Sequence, residues 1–162
     1  MVSSLGPGPL PDDDPPGAFG RHDPWCRPFV LLAAGRPDQA RTAVAGIPPA
    51  PADLLHEARC CLHALLAVAV DDRPAMARLY AELRPAATEI AGAGSGLLTL
   101  RPVAHYLGDL AAALGRPDPA REHYQQAIRV AERAGARHWV EAASAAMHSV
   151  DSPACGNCRR FD

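Results

Sequence analysis

Val103, Tyr106, Leu107, Leu110, Ala111 and Leu114 fall at i, i+3, i+4, i+7, i+8 and i+11, which lines them along one face of a helix. The segment that follows begins near Asp118 and sets Tyr124, Ala127, Ile128 and Ala131 on one side, so the two segments read as a helical hairpin. Between them stands GRPD. Gly115 can take the left-handed conformation that ends a helix, Pro117 cannot continue it, and Asp118 can cap the next one. Ala120, soon after the turn, is small enough to let two crossing backbones approach.

The same phrase occurs as GRPDQAR at 35–41 and as DRPAMAR at 72–78, each between apolar segments of helical spacing. Phe29, Val30, Leu31 and Leu32 lead into the first turn, and Ala40, Val44 and Ile47 follow it. After the IPPAP linker, Leu54, Leu55, Ala58, Cys61, Leu62, Leu65 and Ala69 mark the apolar face of a third helix. Asp72 is placed to cap a fourth, with Pro74 in its first turn and Met76, Leu79, Tyr80 and Leu83 as its stripe. Pro85 limits that helix, and AGAGSG at 91–96 reads as a loop. A last helix, roughly 137–149, presents Trp139, Val140, Ala143, Met147 and Val150 and caps the stack. The expected architecture is all-α: a tetratricopeptide-like α-solenoid of about seven helices over residues 24–150. A disordered Pro/Gly/Asp-rich head (1–23) and a flexible tail (151–162) complete the chain.

Leu107 and Gly108, Gly115 at the turn, then Ala120, Tyr124 and Ala127 stand at the intervals of a tetratricopeptide repeat, which the segment 104–132 resembles. Ala104 and Ala111 take positions where that family prefers aromatics, and Glu132 one where it prefers proline. More broadly, residues 79–144 resemble the carboxy-terminal helical-repeat region of actinobacterial ATP-dependent regulators of the LuxR-type and cyclase-linked kinds. That resemblance implies a repeat scaffold that senses or binds a partner, here without the phosphate-binding ATPase module: no G-x-x-x-x-G-K-[ST] phrase occurs.

Composition narrows the functional classes. Hydrophobic residues make up 48% of the 162, mostly Ala, Leu and Val, which suits closely packed helices in one domain. All 16 basic residues are arginine, a bias expected of a GC-rich, actinobacterial-type genome. A formal net charge of -2 gives no basic footprint for a phosphate backbone, so nucleic acid is not an expected partner. The longest apolar stretch, 62–70, is about half a bilayer span, so no membrane partner is expected either. The first twenty residues lack a signal-peptide pattern, and five cysteines at irregular spacing suit a reducing compartment; both point to the cytoplasm.

Three groups of residues could carry chemistry. His56, Cys60 and His63 lie at i, i+4 and i+7 of the third helix, spaced to ligate zinc or another transition metal; equally, they could be the polar flank of that helix. Cys155 and Cys158 form a C-x-x-C that could supply half of a tetrahedral site, or simply two free thiols in the tail. His105 and Asp109, with Arg101 one turn earlier, resemble an orienting pair for a general base. If the first helix of each hairpin lines a concave surface, His56, His63, Arg101, His105 and Asp109 converge there as a partner groove. The function expected on these grounds is noncatalytic: a regulatory or adaptor scaffold, needing no cofactor, that binds another protein or peptide. Three hairpins are near the minimum for a stable stack, which points to a homodimer or to docking on a larger partner. The competing expectation is a small metal-binding protein or atypical enzyme built on His56, Cys60, His63 and His105, with Cys155 and Cys158 as further candidates.

Overall fold

In the computed structural model, residues 19–96 and 98–151 are described. They form seven α-helices: α1 (Asp23–Ala33), α2 (Pro37–Ala45), α3 (His56–Ala69), α4 (Arg73–Leu83), α5 (Val103–Ala113), α6 (Pro117–Arg133) and α7 (Arg137–Asp151). Short 3-10 turns precede α1, follow α4 and fall within AGAGSG. No strand occurs among the described residues; a single antiparallel bridge, Ile90 to Pro102, closes the long loop between α4 and α5. The head and tail expected from sequence lie almost wholly outside the described residues. Of the head, Gly20–His22 form a 3-10 turn and Asp23 begins α1; of the tail, Asp151 ends α7.

One turn geometry recurs at four joints. Gly35, Asp71, Gly115 and Gly135 each sit at positive φ, at 69°, 57°, 76° and 65°. After each, the next N–H reaches back over the end of the helix: Arg36 to the Leu31 carbonyl, Asp72 to Ala67 and Arg116 to Ala111 at 2.9 Å, Ala136 to Ala131 at 3.0 Å. The positive-φ residues themselves donate to Leu32, Val68, Ala112 and Glu132, which completes the paired closure of a Schellman turn. The fourth joint carries no GRP phrase and is legible only from Gly135.

This geometry corrects two readings of the sequence. In the second joint the left-handed residue is Asp71, so DRPAMAR is shifted by one position against its echoes. Met76 therefore occupies the place of Ala40 and Ala120 and is buried, whereas Ala77 is exposed. Asp72 does cap, its carboxylate accepting from the Ala75 N–H at 3.1 Å. Asp118 does not: Arg116 is the N-cap residue, Pro117 begins α6, and the Asp118 carboxylate pairs with Arg121.

The hairpins pack in sequence order, α1 on α2, α3 on α4, α5 on α6 and α6 on α7, while α3 also meets α1 and α5. The main core joins Cys60, Cys61, Ala64 and Ala67 of α3 to Met76, Leu79 and Leu83 of α4 and Val103, Tyr106, Leu107 and Leu110 of α5. A second cluster sets Leu66 and Val70 against Trp25, Val44 and Ile47, with the Arg59 guanidinium over the Trp25 ring at 5.4 Å. Tyr80 reaches His123 Nε2 through its hydroxyl at 2.8 Å and ties α4 to α6.

Tyr124 of α6 lies directly against α5 at Gly108. A Cβ there would stand 2.5 Å and 2.6 Å from two carbons of the Tyr124 ring, so the absence of a side chain is what lets that ring lie on α5. Gly108→Ala should cost about 1–3 kcal/mol by overpacking. Asp71→Gly should instead stabilise by about 1 kcal/mol, because glycine adopts positive φ without strain. Urea unfolding of the two variants should move the midpoint in opposite directions.

Candidate functional site

α3 packs against helices on several sides, and this sorts its residues differently from the periodicity argument. Ala58, Arg59, Cys60, Cys61, His63, Ala64, Leu66 and Ala67 are buried. Leu55, Leu62 and Leu65, expected in the core, are only half-buried, Ala69 is exposed, and Leu54 before the helix is 69% exposed. Cys60 and His63, expected on a polar flank, are thus turned inward, while His56 of that flank stays half-buried and leucines stand at the rim. His63 is only 5% exposed, and burial lowers its pKa, with Arg78 nearby acting in the same direction.

Of the residues expected to converge in a groove, the structure brings three together. Arg101 Nη1 lies 2.9 Å from His105 Nε2, and Asp109 Oδ1 stands 3.8 Å from the same nitrogen. Tyr124 of α6, not identified from sequence, donates its hydroxyl to Asp109 Oδ1 at 2.8 Å and sets its ring edge-on to His105. Because guanidinium can only donate, His105 Nε2 accepts and the proton resides on Nδ1, a buried nitrogen without a partner. Burial, then the Arg101 charge, lowers the His105 pKa to about 4. At 3% exposure this imidazole is a neutral interior group, inaccessible to a partner lying in an open groove. His63, at 5% exposure, is likewise enclosed, and His56 has other neighbours.

His56 instead joins a second cluster. Its Nε2 lies 3.7 Å from Cys60 Sγ and 3.4 Å from Glu82 Oε1, and Cys60 Sγ lies 3.5 Å from that same carboxylate oxygen. Among the described residues, this is the one group of three or more potential metal ligands whose donor atoms share a small space, and His63 is not part of it. His56 Nδ1 bonds the Pro51 carbonyl at 3.2 Å, and Arg78 holds Glu82 Oε2 at 3.2 Å. Burial, then Glu82, pushes the Cys60 thiol up to about 12, so it is protonated at neutral pH. Glu82 carries no sequence signal: it is distant from His56 and Cys60 along the chain and comes to them only because α4 folds back on α3. Cys155 and Cys158 lie outside the described residues.

Comparison with protein-family models, curated proteins and solved structures returns no match to this chain.

The His105 pKa sets a pH dependence. The unfolded imidazole titrates near its ordinary value of 6.5 and the folded one near 4, so below 6.5 the unfolded chain binds more protons. Stability is complete above about 6.5, falls as pH drops toward 4, and levels off below that, a loss of about 3 kcal/mol from this residue. His63 and His123, both lowered first by burial, act in the same direction. Denaturant midpoints measured from pH 7 to pH 4 should fall less steeply in His105→Gln than in the parent chain.

Proposed function

We propose that this chain is a noncatalytic interaction scaffold, a tetratricopeptide-like stack of hairpins that receives an amphipathic helix of another protein. The observation that carries this reading is the rim of α3. Leu55, Leu62 and Ala69 follow one another at steps of seven residues, with Leu65 between the last two, the spacing of a helix–helix seam. Leu55, Leu62 and Leu65 are left half-buried, while Arg59, Cys60, Cys61 and His63 between them are enclosed. Leaving leucines partly in water on a helix otherwise packed against neighbours costs solvation free energy that a docked apolar surface recovers.

The enclosed groups support a binding role over a catalytic one. His105 and Cys60 are held by burial in their neutral forms. A general base or thiolate nucleophile needs a pKa near the working pH. Arg101 and Asp109, half-buried near the start and middle of α5, are engaged with His105 and Tyr124. The resemblance to regulatory repeat regions points to the same role, and a cytoplasmic location suits free thiols.

A displayed library of helical peptides selected against the full chain should enrich apolar residues at i, i+3, i+4 and i+7. Leu62→Glu should weaken the selected peptides at least about tenfold, or ~1.4 kcal/mol, while leaving the melting temperature nearly unchanged. Arg129→Glu, on the exposed side of α6, should have no effect. Absence of enrichment, or binders indifferent to Leu62→Glu, would remove this reading.

A further inference from the structure

The cluster at the α3–α4 junction is not used by the interaction reading and has the dimensions of a metal site. Zinc bonded at its usual lengths to one sulfur, one nitrogen and one oxygen at tetrahedral angles sets ligand edges of about 3.5 Å (S to N), about 3.3 Å (N to O) and about 3.5 Å (S to O). The corresponding separations among Cys60 Sγ, His56 Nε2 and Glu82 Oε1 are 3.7, 3.4 and 3.5 Å. We propose that His56, Cys60 and Glu82 form a three-ligand site for zinc or a zinc-like divalent cation, with the fourth position open to solvent.

Each exposed ligand is already oriented from behind. The bond from His56 Nδ1 to the Pro51 carbonyl fixes the tautomer that leaves Nε2 with its lone pair toward the cluster. Arg78 on Glu82 Oε2 leaves Oε1 facing the sulfur and the imidazole. Such outer partners are a regular part of metal sites, and here they are in place on both sides of the cluster.

The donor set selects the cation. A thiolate with an imidazole and one carboxylate suits zinc and its borderline-soft neighbours, whereas magnesium and calcium require oxygen ligands. Charge balances as well. The cation displaces the proton of the Cys60 thiol, which leaves to solvent, and the resulting thiolate and the Glu82 carboxylate neutralise two positive charges. The sulfur forms the floor, at 2% exposure, while the His56 and Glu82 side chains are 31% and 30% exposed and leave a route in from solvent. Helices α3 and α4 each supply ligands, so the bound cation clamps the second hairpin, independently of any partner on the leucine rim.

Cobalt(II) is the probe, since it occupies zinc sites and reports its ligands by colour. The full chain carrying Cys155→Ser and Cys158→Ser should take up one equivalent at micromolar protein, with a thiolate-to-cobalt charge-transfer band and the intense visible bands of a four-coordinate ion. Zinc should bleach both and raise the melting temperature. In that background Cys60→Ser should abolish the charge-transfer band, and Glu82→Gln should weaken binding at least tenfold. Cys26→Ser on α1 should change neither. Glu82 and His56 are at the rim, so Glu82→Gln and His56→Gln decide the matter should Cys60→Ser not fold. No uptake by the Cys155→Ser, Cys158→Ser chain overturns the proposal, as does a charge-transfer band that survives Cys60→Ser or binding unaltered by both rim substitutions. These outcomes leave the leucine seam untouched, and loss of peptide binding in Leu62→Glu leaves the metal site untouched.

Discussion

Four of the six joints between consecutive helices, those of the tight hairpins, depend on one residue held at positive φ. With that residue left-handed, the chain closes the outgoing helix with two backbone hydrogen bonds and starts the next helix two residues later. The direction of the incoming helix is then set, and Ala40, Met76, Ala120 and Val140 stand at equivalent places after the four joints, the first three of them buried. Three of the joints use glycine, for which the conformation is free of steric cost. The second uses Asp71, and the residue it brings to the crossing is a methionine instead of an alanine or valine. Methionine is unbranched and adapts its shape, which suits a joint whose geometry is retained without glycine.

Helix positions and the glycine turns were legible in the sequence because each rests on local chemistry: spacing near 3.6, a helix-ending glycine, a proline in the first helical turn; the aspartate turn at Asp71 carries no such signal. What each helix faces was less legible. Periodicity identifies an apolar stripe only when a helix is packed on one side. α3 meets α1, α2, α4 and α5, so its buried arc is wide enough to include Arg59, Cys60 and His63. Of the leucine stripe that looks like core, Leu65 still packs on the main cluster at its edge, and Leu55 and Leu62 are only half-buried. The same argument explains α5, where Val103 to Gly108 are buried without interruption and a histidine that reads as a groove residue becomes an interior one.

Tyr124 and Glu82 show the other limit. Each completes a polar cluster begun on the first helix of its hairpin, and each is contributed by the second helix folding back. The pairings Asp109 with Tyr124 and Cys60 with Glu82 are products of the crossing angle, which no spacing rule encodes. Gly108 is an exception with a visible signal. It stands inside an otherwise strong helix, where glycine is unfavourable, and so marks a place where something large must approach.

Depth within the hairpins governs what the titratable groups can do. His105 and Cys61 are enclosed, and desolvation drives both toward their uncharged forms. Enclosure on that scale fixes a side chain as structure: His105 holds one hydrogen bond from Arg101 and leaves its second nitrogen unsatisfied, a cost tolerable only because the ring is neutral. His56 and Glu82 lie at the rim, where water reaches them, and only the sulfur between them is sunk. A group that must exchange a proton for a cation needs that arrangement, since a wholly buried set would resist charge and a wholly exposed one would not be held in place. Solvent-accessible polar groups with convergent donor atoms therefore stand at the edge of the second hairpin, while the centre of the crossing is given over to packing.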